Sequence, residues 1–271
     1  MNGNADPLIK FTFLGQAGFL IRDSSHEFLI DPYLSNYVVD SGIGPAEVFS
    51  REFPAPMSPA DLKEVGLLFI THNHGDHCDP DTLLPLYREN PDRKFVCSKP
   101  AGEHLISLGI DAKKVIIPSI GTLMVEDGVM FYAVPAAHYN FDRDETDGSY
   151  AYLGYVIQLN GIWIYHAGDT LLYDGMVDGI LKHTDRIDVA CLPVNGRDGW
   201  RESMDILGNL DGAESLELAL RLHADVILPM HNDLFKTNHA TPAFLADVLD
   251  RKAPRQKVHW LQPGEKYFYS K

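Results

Sequence analysis

A chain of 271 residues with 45% hydrophobic content can bury a sizeable core, as one large domain or two modest ones. Its 23 Lys and Arg against 38 Asp and Glu leave a net charge of −15, which repels nucleic acid and anionic membrane and leaves small molecules as the expected partners. No apolar run has the length of a membrane span, and Met1–Pro7 lacks the basic start and apolar stretch of a secretory signal, so it reads as a short disordered lead-in. Cys78, Cys97 and Cys191 are scattered, with no CxxC and no disulfide framework, as expected in a reducing cytoplasm.

Taken in order, Leu8 to Leu14, Gly18 to Arg22 and Glu27 to Ile30 read as an antiparallel start, with turns at Gly15 and Asp23-Ser24-Ser25. Asp31-Pro32 ends the third strand. Residues 33–57 are irregular, broken by Gly42, Gly44, Pro45, Pro54 and Pro56, and a loop of this length suggests a functional segment such as a lid. Ser58-Pro59-Ala60-Asp61 has the hydroxyl, proline and acid of a helix start. The apolar run Leu67–Ile70 reads as a buried strand, and Asp79-Pro80 caps a helix through Tyr87 that Pro85 should kink or shorten.

Further strands are expected at Lys94–Cys97, Val115–Pro118, Val129–Val134, Tyr150–Leu159, Ile162–Tyr165, Asp188–Pro193 and Val226–Pro229. Asn160-Gly161 marks a hairpin between two of them. Helices are expected at Ala101–Leu108, at Ala213–Leu222 and after Thr241-Pro242, with two short strands closing the chain. With no repeat and no linker, a single α/β domain over residues 1–271 is the economical organisation, sheets inside and helices outside.

Function concentrates after Ile70, in Thr71-His72-Asn73-His74-Gly75-Asp76-His77. Alternate side chains of an extended segment share a face, so His72 and His74 project together, and Gly75 is expected to turn the backbone so that Asp76 and His77 swing back. Nitrogen and oxygen donors converging at a strand end suit a divalent metal. His138, Asp169 and His231 stand at comparable places after three later strands, where α/β scaffolds collect function.

This set, His72-x-His74-x-Asp76-His77 followed by His138, Asp169 and His231 and preceded by Asp31, resembles the metallo-β-lactamase superfamily. The resemblance implies an αββα sandwich of two mixed sheets flanked by helices, with two divalent ions at one edge. His72, His74 and His138 would hold one ion, Asp76, His77 and His231 the second, and Asp169 would bridge. Asp31 would support the site from behind. The stretches Ile164–Asp169, Ile187–Ala190 and Ala224–Asp233 look like the L-ascorbate-6-phosphate lactonase branch, although His138 stands where those enzymes lack a histidine. That branch implies manganese, whereas affinity order favours zinc, with iron the least expected.

The activity expected is attack by a metal-bound hydroxide on a sugar-phosphate lactone or similar carboxylic ester, with Asp76 orienting the water. A small-molecule phosphodiesterase is the alternative. His166 and Asn232 adjoin ligands and are candidates to orient them. Asn195 and Arg197 follow a strand end, where Arg197 could grip an anionic substrate bidentately. The oligomeric state stays open, a homo-oligomer included.

Overall fold

A computed structural model describes residues 8–204 and 206–271; the expected lead-in at 1–7 lies outside the described residues. Six strands open the chain: β1 (Leu8–Gly15), β2 (Gly18–Arg22), β3 (Glu27–Ile30), β4 (Leu67–Ile70), β5 (Lys94–Cys97) and β6 (Val115–Ile116). Seven more follow: β7 (Met124–Glu126), β8 (Val129–Pro135), β9 (Leu153–Leu159), β10 (Ile162–His166), β11 (Val189–Pro193), β12 (Val226–Met230) and β13 (Lys257–Val258). The last strand, β14 (Lys266–Ser270), returns to pair antiparallel with β1. Two seven-stranded sheets result, in the orders β14-β1-β2-β3-β4-β5-β6 and β13-β12-β11-β10-β9-β8-β7.

Both sheets follow one plan. Hairpins make one half antiparallel, and helical or irregular crossovers make the other half parallel, β3 to β6 in the first sheet and β10 to β13 in the second. β4 shows why its sequence is a continuous apolar run. Leu67 and Phe69 face the second sheet, Phe69 packing on Phe131 and Tyr155, while Leu68 and Ile70 face the helices with Leu83, Leu86 and Leu105. A strand buried on both faces has no polar alternation to display. The helices Gly212–Arg221 and Pro242–Lys252 cover the second sheet through Leu216, Leu218, Ala219, Leu245 and Val248, completing the αββα sandwich.

Several boundaries differ from the sequence expectation. The helix after Asp79 runs from Pro80 to Glu89 straight through Pro85, its buried Leu83 and Leu86 anchoring the turns on either side. β9 begins at Leu153 rather than Tyr150, because the Leu153 N–H leaves the strand ladder to donate to Thr71 O at 3.0 Å. Within 33–57 two four-residue helices form, Tyr37–Asp40 and Ala46–Phe49. They sit on a small apolar cluster of Tyr33, Val38, Leu234 and Phe235, and Arg51 pins the segment by donating to the Tyr33, Ser35 and Phe53 carbonyls. Among the described residues no helix is long and apolar enough to cross a membrane.

Candidate metal centre

The ends of β3, β4, β8, β10 and β12 open onto one edge of the sandwich. The first sheet sends Asp31 and the loop His72–His77 there; the second sends His138, Asp169 and His231. The loops are tied to one another: Leu153 N–H to Thr71 O, Ala137 N–H to Thr170 Oγ1 at 3.1 Å, and Leu171 N–H to Ala137 O at 2.9 Å. All seven donors therefore meet across the seam between the sheets.

They form two sets. Ligand atoms of His72, His74 and Asp169 lie within 4.8 Å of one another, and so do those of Asp76, His77 and His231. The His138 ring lies beside the first set but outside that mutual distance, its centroid 5.3 Å from that of His74 and 6.1 Å from that of His72. Asp169 reaches both, with Oδ1 3.4 Å from His77 Nε2 and Oδ2 3.2 Å from His231 Nε2. Ligands of one tetrahedral ion at about 2.1 Å stand about 3.4 Å apart, so each set needs only a small contraction around an ion.

Hydrogen bonding shows that the donors suit a cation. Asp31, fully buried at φ +41°, accepts from Thr71 N–H at 2.8 Å, from Thr71 Oγ1–H at 2.6 Å and from His77 Nδ1–H at 2.8 Å. The Thr71 hydroxyl, its proton given to Asp31, accepts from His72 Nδ1–H at 3.0 Å. One carboxylate thus fixes the tautomers of two imidazoles and turns both Nε2 atoms into the shared space. There His72 Nε2, His77 Nε2 and Asp169 Oδ1 are buried with no hydrogen-bond partner, as is His138 Nδ1. Unpaired buried polar atoms are costly, and several facing one point fit a bound ion.

The two sets differ in charge. Burial lowers the pKa of His72 and His74, and brings that of His138 down to about 4, so these imidazoles stay neutral. Burial also works against charge on His77 and His231, but the acids around them prevail. Asp169, Asp76 and Asp31 raise His77 to about 9, and Asp169 and Asp76 raise His231 to about 10. Burial would likewise neutralise Asp76 and Asp169, yet the neighbouring imidazoles hold both carboxyls ionised, below the usual range. His77 Nε2 lies 3.4 Å from Asp169 and 3.7 Å from Asp76, too far for good hydrogen bonds, so at this nitrogen the two acids act through their charge.

Gly75 stands in a turn, as expected: the N–H groups of His77 and Cys78 return to His74 O at 3.0 and 2.8 Å, which brings the His77 ring back against that of His72. The Gly75 φ is not in the left-handed region; a Cβ there would stand 3.2 Å from both Ile43 Cδ1 and Tyr37 Cδ1, so the glycine makes room for the 33–57 segment. The glycine that needs its conformation is Gly168 before Asp169, at φ +60°, where a Cβ would come within 2.7 Å of Leu153 O.

The supporting residues are partly reassigned. His166 touches no donor side chain: Nε2–H donates to Ala17 O at 2.9 Å and Nδ1 accepts from Gly168 N–H at 3.3 Å, bracing the loop beneath Asp169. Asn232 has no partner among the donors either. His231 sits at φ +57°, and the turn it makes brings Asn238 instead, whose amide lies 3.2 Å from His231 Nδ1. Two contributors carry no sequence signal. Gln16, in the β1–β2 turn at φ +56°, donates from Nε2 to Asp76 Oδ2 at 2.6 Å and lies 3.0 Å from His231 Nε2. Tyr152 places its hydroxyl 3.2 Å from His74 Nε2. Only the turn residue Gly15 hinted at the first; nothing marked the second. Cys78 belongs to the core behind the loop, where burial pushes its thiol up and away from ligation.

The substrate residues expected from sequence do not reach the centre. Arg197 holds Glu214 bidentately at 2.7 Å on both arms and adds the Asn209 carbonyl, because Glu214 stands in the first turn of the helix capped by Asp211. Asn195 is buried, accepting from Asn209 through its side chain and from Arg201 through its carbonyl. The cleft above the donors, of about 390 Å³, is lined instead by Val38, Ile43, Phe49, Met204, Ile206, Leu207 and Phe235. Among the described residues no Lys or Arg lines it.

Comparison with known proteins agrees with this architecture. A family model, the Beta-lactamase superfamily domain, matches residues 26–232. A UPF0173 metal-dependent hydrolase of Pyrococcus furiosus is 30% identical over 264 residues, covering 95% of this chain and 98% of that protein. Igni18, a metallo hydrolase from Ignicoccus hospitalis, has the same fold with a TM-score of 0.72 at 24% identity, covering 97% of this chain and 99% of its own. The isothiocyanate hydrolase from Delia radicum gut bacteria gives a TM-score of 0.74 at 19% identity, with coverage of 96% and 99%. At such identities the structural likeness speaks for the fold alone, while the family model and the Pyrococcus relative carry the assignment: the chain is a metal-dependent hydrolase of the metallo-β-lactamase superfamily and belongs to the UPF0173 family.

Proposed function

We propose that this hydrolase opens a lactone or a similar carboxylic ester at the seven-donor centre, as the resemblance to the L-ascorbate-6-phosphate lactonase branch implies. His72, His74 and His138 would hold one divalent ion, Asp76, His77 and His231 a second, with Asp169 shared. Zinc or manganese suits this set of imidazoles and carboxylates. Such ions supply two things when bound: a water that ionises near neutral pH, and polarisation of a substrate oxygen. The observation that carries this reading is the group of unpartnered Nε2 atoms whose opposite nitrogens are locked by Asp31 and Thr71.

The chain's own groups have assignable parts. Asp76, kept ionised and steadied by the Gln16 amide, would accept a hydrogen from the attacking water and set its direction. Asp31 holds His77 and, through Thr71, His72 in the ligating orientation. The Tyr152 hydroxyl, 3.2 Å from His74 Nε2, would help to orient that imidazole. Metal analysis with a panel of lactones, carboxylic esters, phosphomonoesters and phosphodiesters tests the reading. Lactone opening abolished by chelator and restored by manganese or zinc is expected. Turnover confined to phosphodiesters would replace the proposal with the phosphodiesterase alternative.

A further inference from the structure

The cleft has two unlike surfaces. Its floor is the donor centre. Its walls come from two segments far apart in sequence, Val38, Ile43 and Phe49 on one side and Ile206 and Leu207 on the other, with Phe235 between. Ile43 is 61% exposed and Met204 38% exposed on this rim, so large apolar side chains are left facing open space in the cleft rather than folded into the core. Of the cations nearby in sequence, Arg51 is held by backbone carbonyls, Arg197 by Glu214, and Arg201 by Asp198 and Asn195, while Lys236, exposed beside Phe235, does not line the cleft. The acids and imidazoles that line the cleft, among them Asp76, Asp169 and His231, all belong to the donor floor, so the wall itself presents no charged side chain among the described residues.

A phosphate or carboxylate on the substrate's far end would meet no counter-charge on these walls and would be stripped of water against hydrocarbon. An alkyl chain or ring would gain from the same surface. We infer that the part of the substrate remote from the scissile bond is an uncharged apolar group seated between the 38–49 segment and residues 206–207, so that the enzyme takes alkyl- or aryl-bearing lactones and esters rather than sugar phosphates. This rests on the hydrolytic reading above for the floor but on separate residues for the wall. The volume, about 390 Å³, is near the lower end for small-molecule sites and sets a limit of one modest chain or ring.

The test uses the metal-loaded protein and two readouts. Turnover is compared for γ-butyrolactone, γ-nonalactone and 6-phosphogluconolactone. Binding of the ring-opened acids, 4-hydroxybutanoate, 4-hydroxynonanoate and 6-phosphogluconate, is measured by calorimetry. Each methylene transferred from water to an apolar wall is worth about fourfold in affinity, so with about half of its five extra carbons buried 4-hydroxynonanoate is expected to bind at least about 30-fold more tightly than 4-hydroxybutanoate. It should also bind more tightly than 6-phosphogluconate, and Met204→Lys should narrow both gaps. Equal affinity along the series, or preference for 6-phosphogluconate, overturns the inference. Lactone opening without a chain-length effect overturns it while leaving the hydrolytic reading standing. Chain-length-dependent binding with no lactone opened supports the apolar wall and removes the lactonase reading instead.

Discussion

Floor and wall of the same cleft are built by opposite means. The donors on the floor follow strand ends, on sheets buried on both faces, and His72, Asp76, His77 and His231 are each held by a further hydrogen bond. The wall stands on two four-residue helices and the irregular run 206–207, held by apolar contact and by Arg51. Rigid elements place chemistry to a fraction of an ångström, while irregular segments can change shape without disturbing it. Changes in the floor should therefore strike turnover and metal content, and changes in the wall should strike only the apparent affinity for substrate.

The largest effect is expected from Asp76→Asn, which keeps the shape but removes the charge: kcat should fall by about 100-fold or more, in the range of a lost acid–base group, with an unchanged circular dichroism spectrum. Wild-type turnover in that variant would remove Asp76 from the chemistry. Asp31→Asn comes next. It weakens the acceptor shared by Thr71 and His77 and should cost about 10–100-fold in metal affinity, read by competition with a chromophoric chelator. A variant that binds metal normally but turns over slowly would show that Asp31 acts on the reaction rather than on the ligands.

The charge difference between the donor sets gives a pH prediction for the metal-free protein. His77 and His231 have folded pKa values raised to about 9 and about 10. Their stabilising ion pairs are fully present below about pH 6.5, the unfolded value, and are lost as pH climbs through 9 and 10. The melting temperature of the metal-free chain should fall over that window. Metal uptake at neutral pH should release protons, seen as a buffer-dependent heat in calorimetry. A melting temperature that does not change between pH 7 and 10 would contradict the charged imidazoles. The smallest effect belongs to the wall: Ile43→Ala, which trims an exposed apolar side chain from the cleft, should raise KM by a few-fold and leave kcat and metal content alone.

The same contrast explains what could be read in advance. Leu67–Ile70 announced a strand buried on both sides, and the histidines after it, like His138, Asp169 and His231, stood where apolar runs stopped. Those signals are local. Gln16 is 60 residues from Asp76 and 215 from His231, and an amide in a hairpin turn carries no mark of what it will meet. Adjacency to His231 points to Asn232, whereas the left-handed turn at His231 makes the amide of Asn238 the neighbour. Arg197 is drawn away from the centre for a related reason, since its partner Glu214 lies 17 residues on and on another element. The wall has no period and no motif; only the packing of Val38 and Phe49 around Phe235 assembles it.

One feature of the seam reaches beyond catalysis. The first sheet contributes His72, His74, Asp76 and His77, and the second contributes His138, Asp169 and His231, so each ion proposed here would be gripped from both layers at once. Metal would then act as a cross-brace between the two halves of the sandwich, adding about 2.7 kcal/mol of resistance to unfolding at a free concentration one hundred times its dissociation constant. Starved of metal, such a protein loses its reaction and part of its mechanical integrity together, and cellular metal supply would govern how long each molecule survives as well as how fast it works.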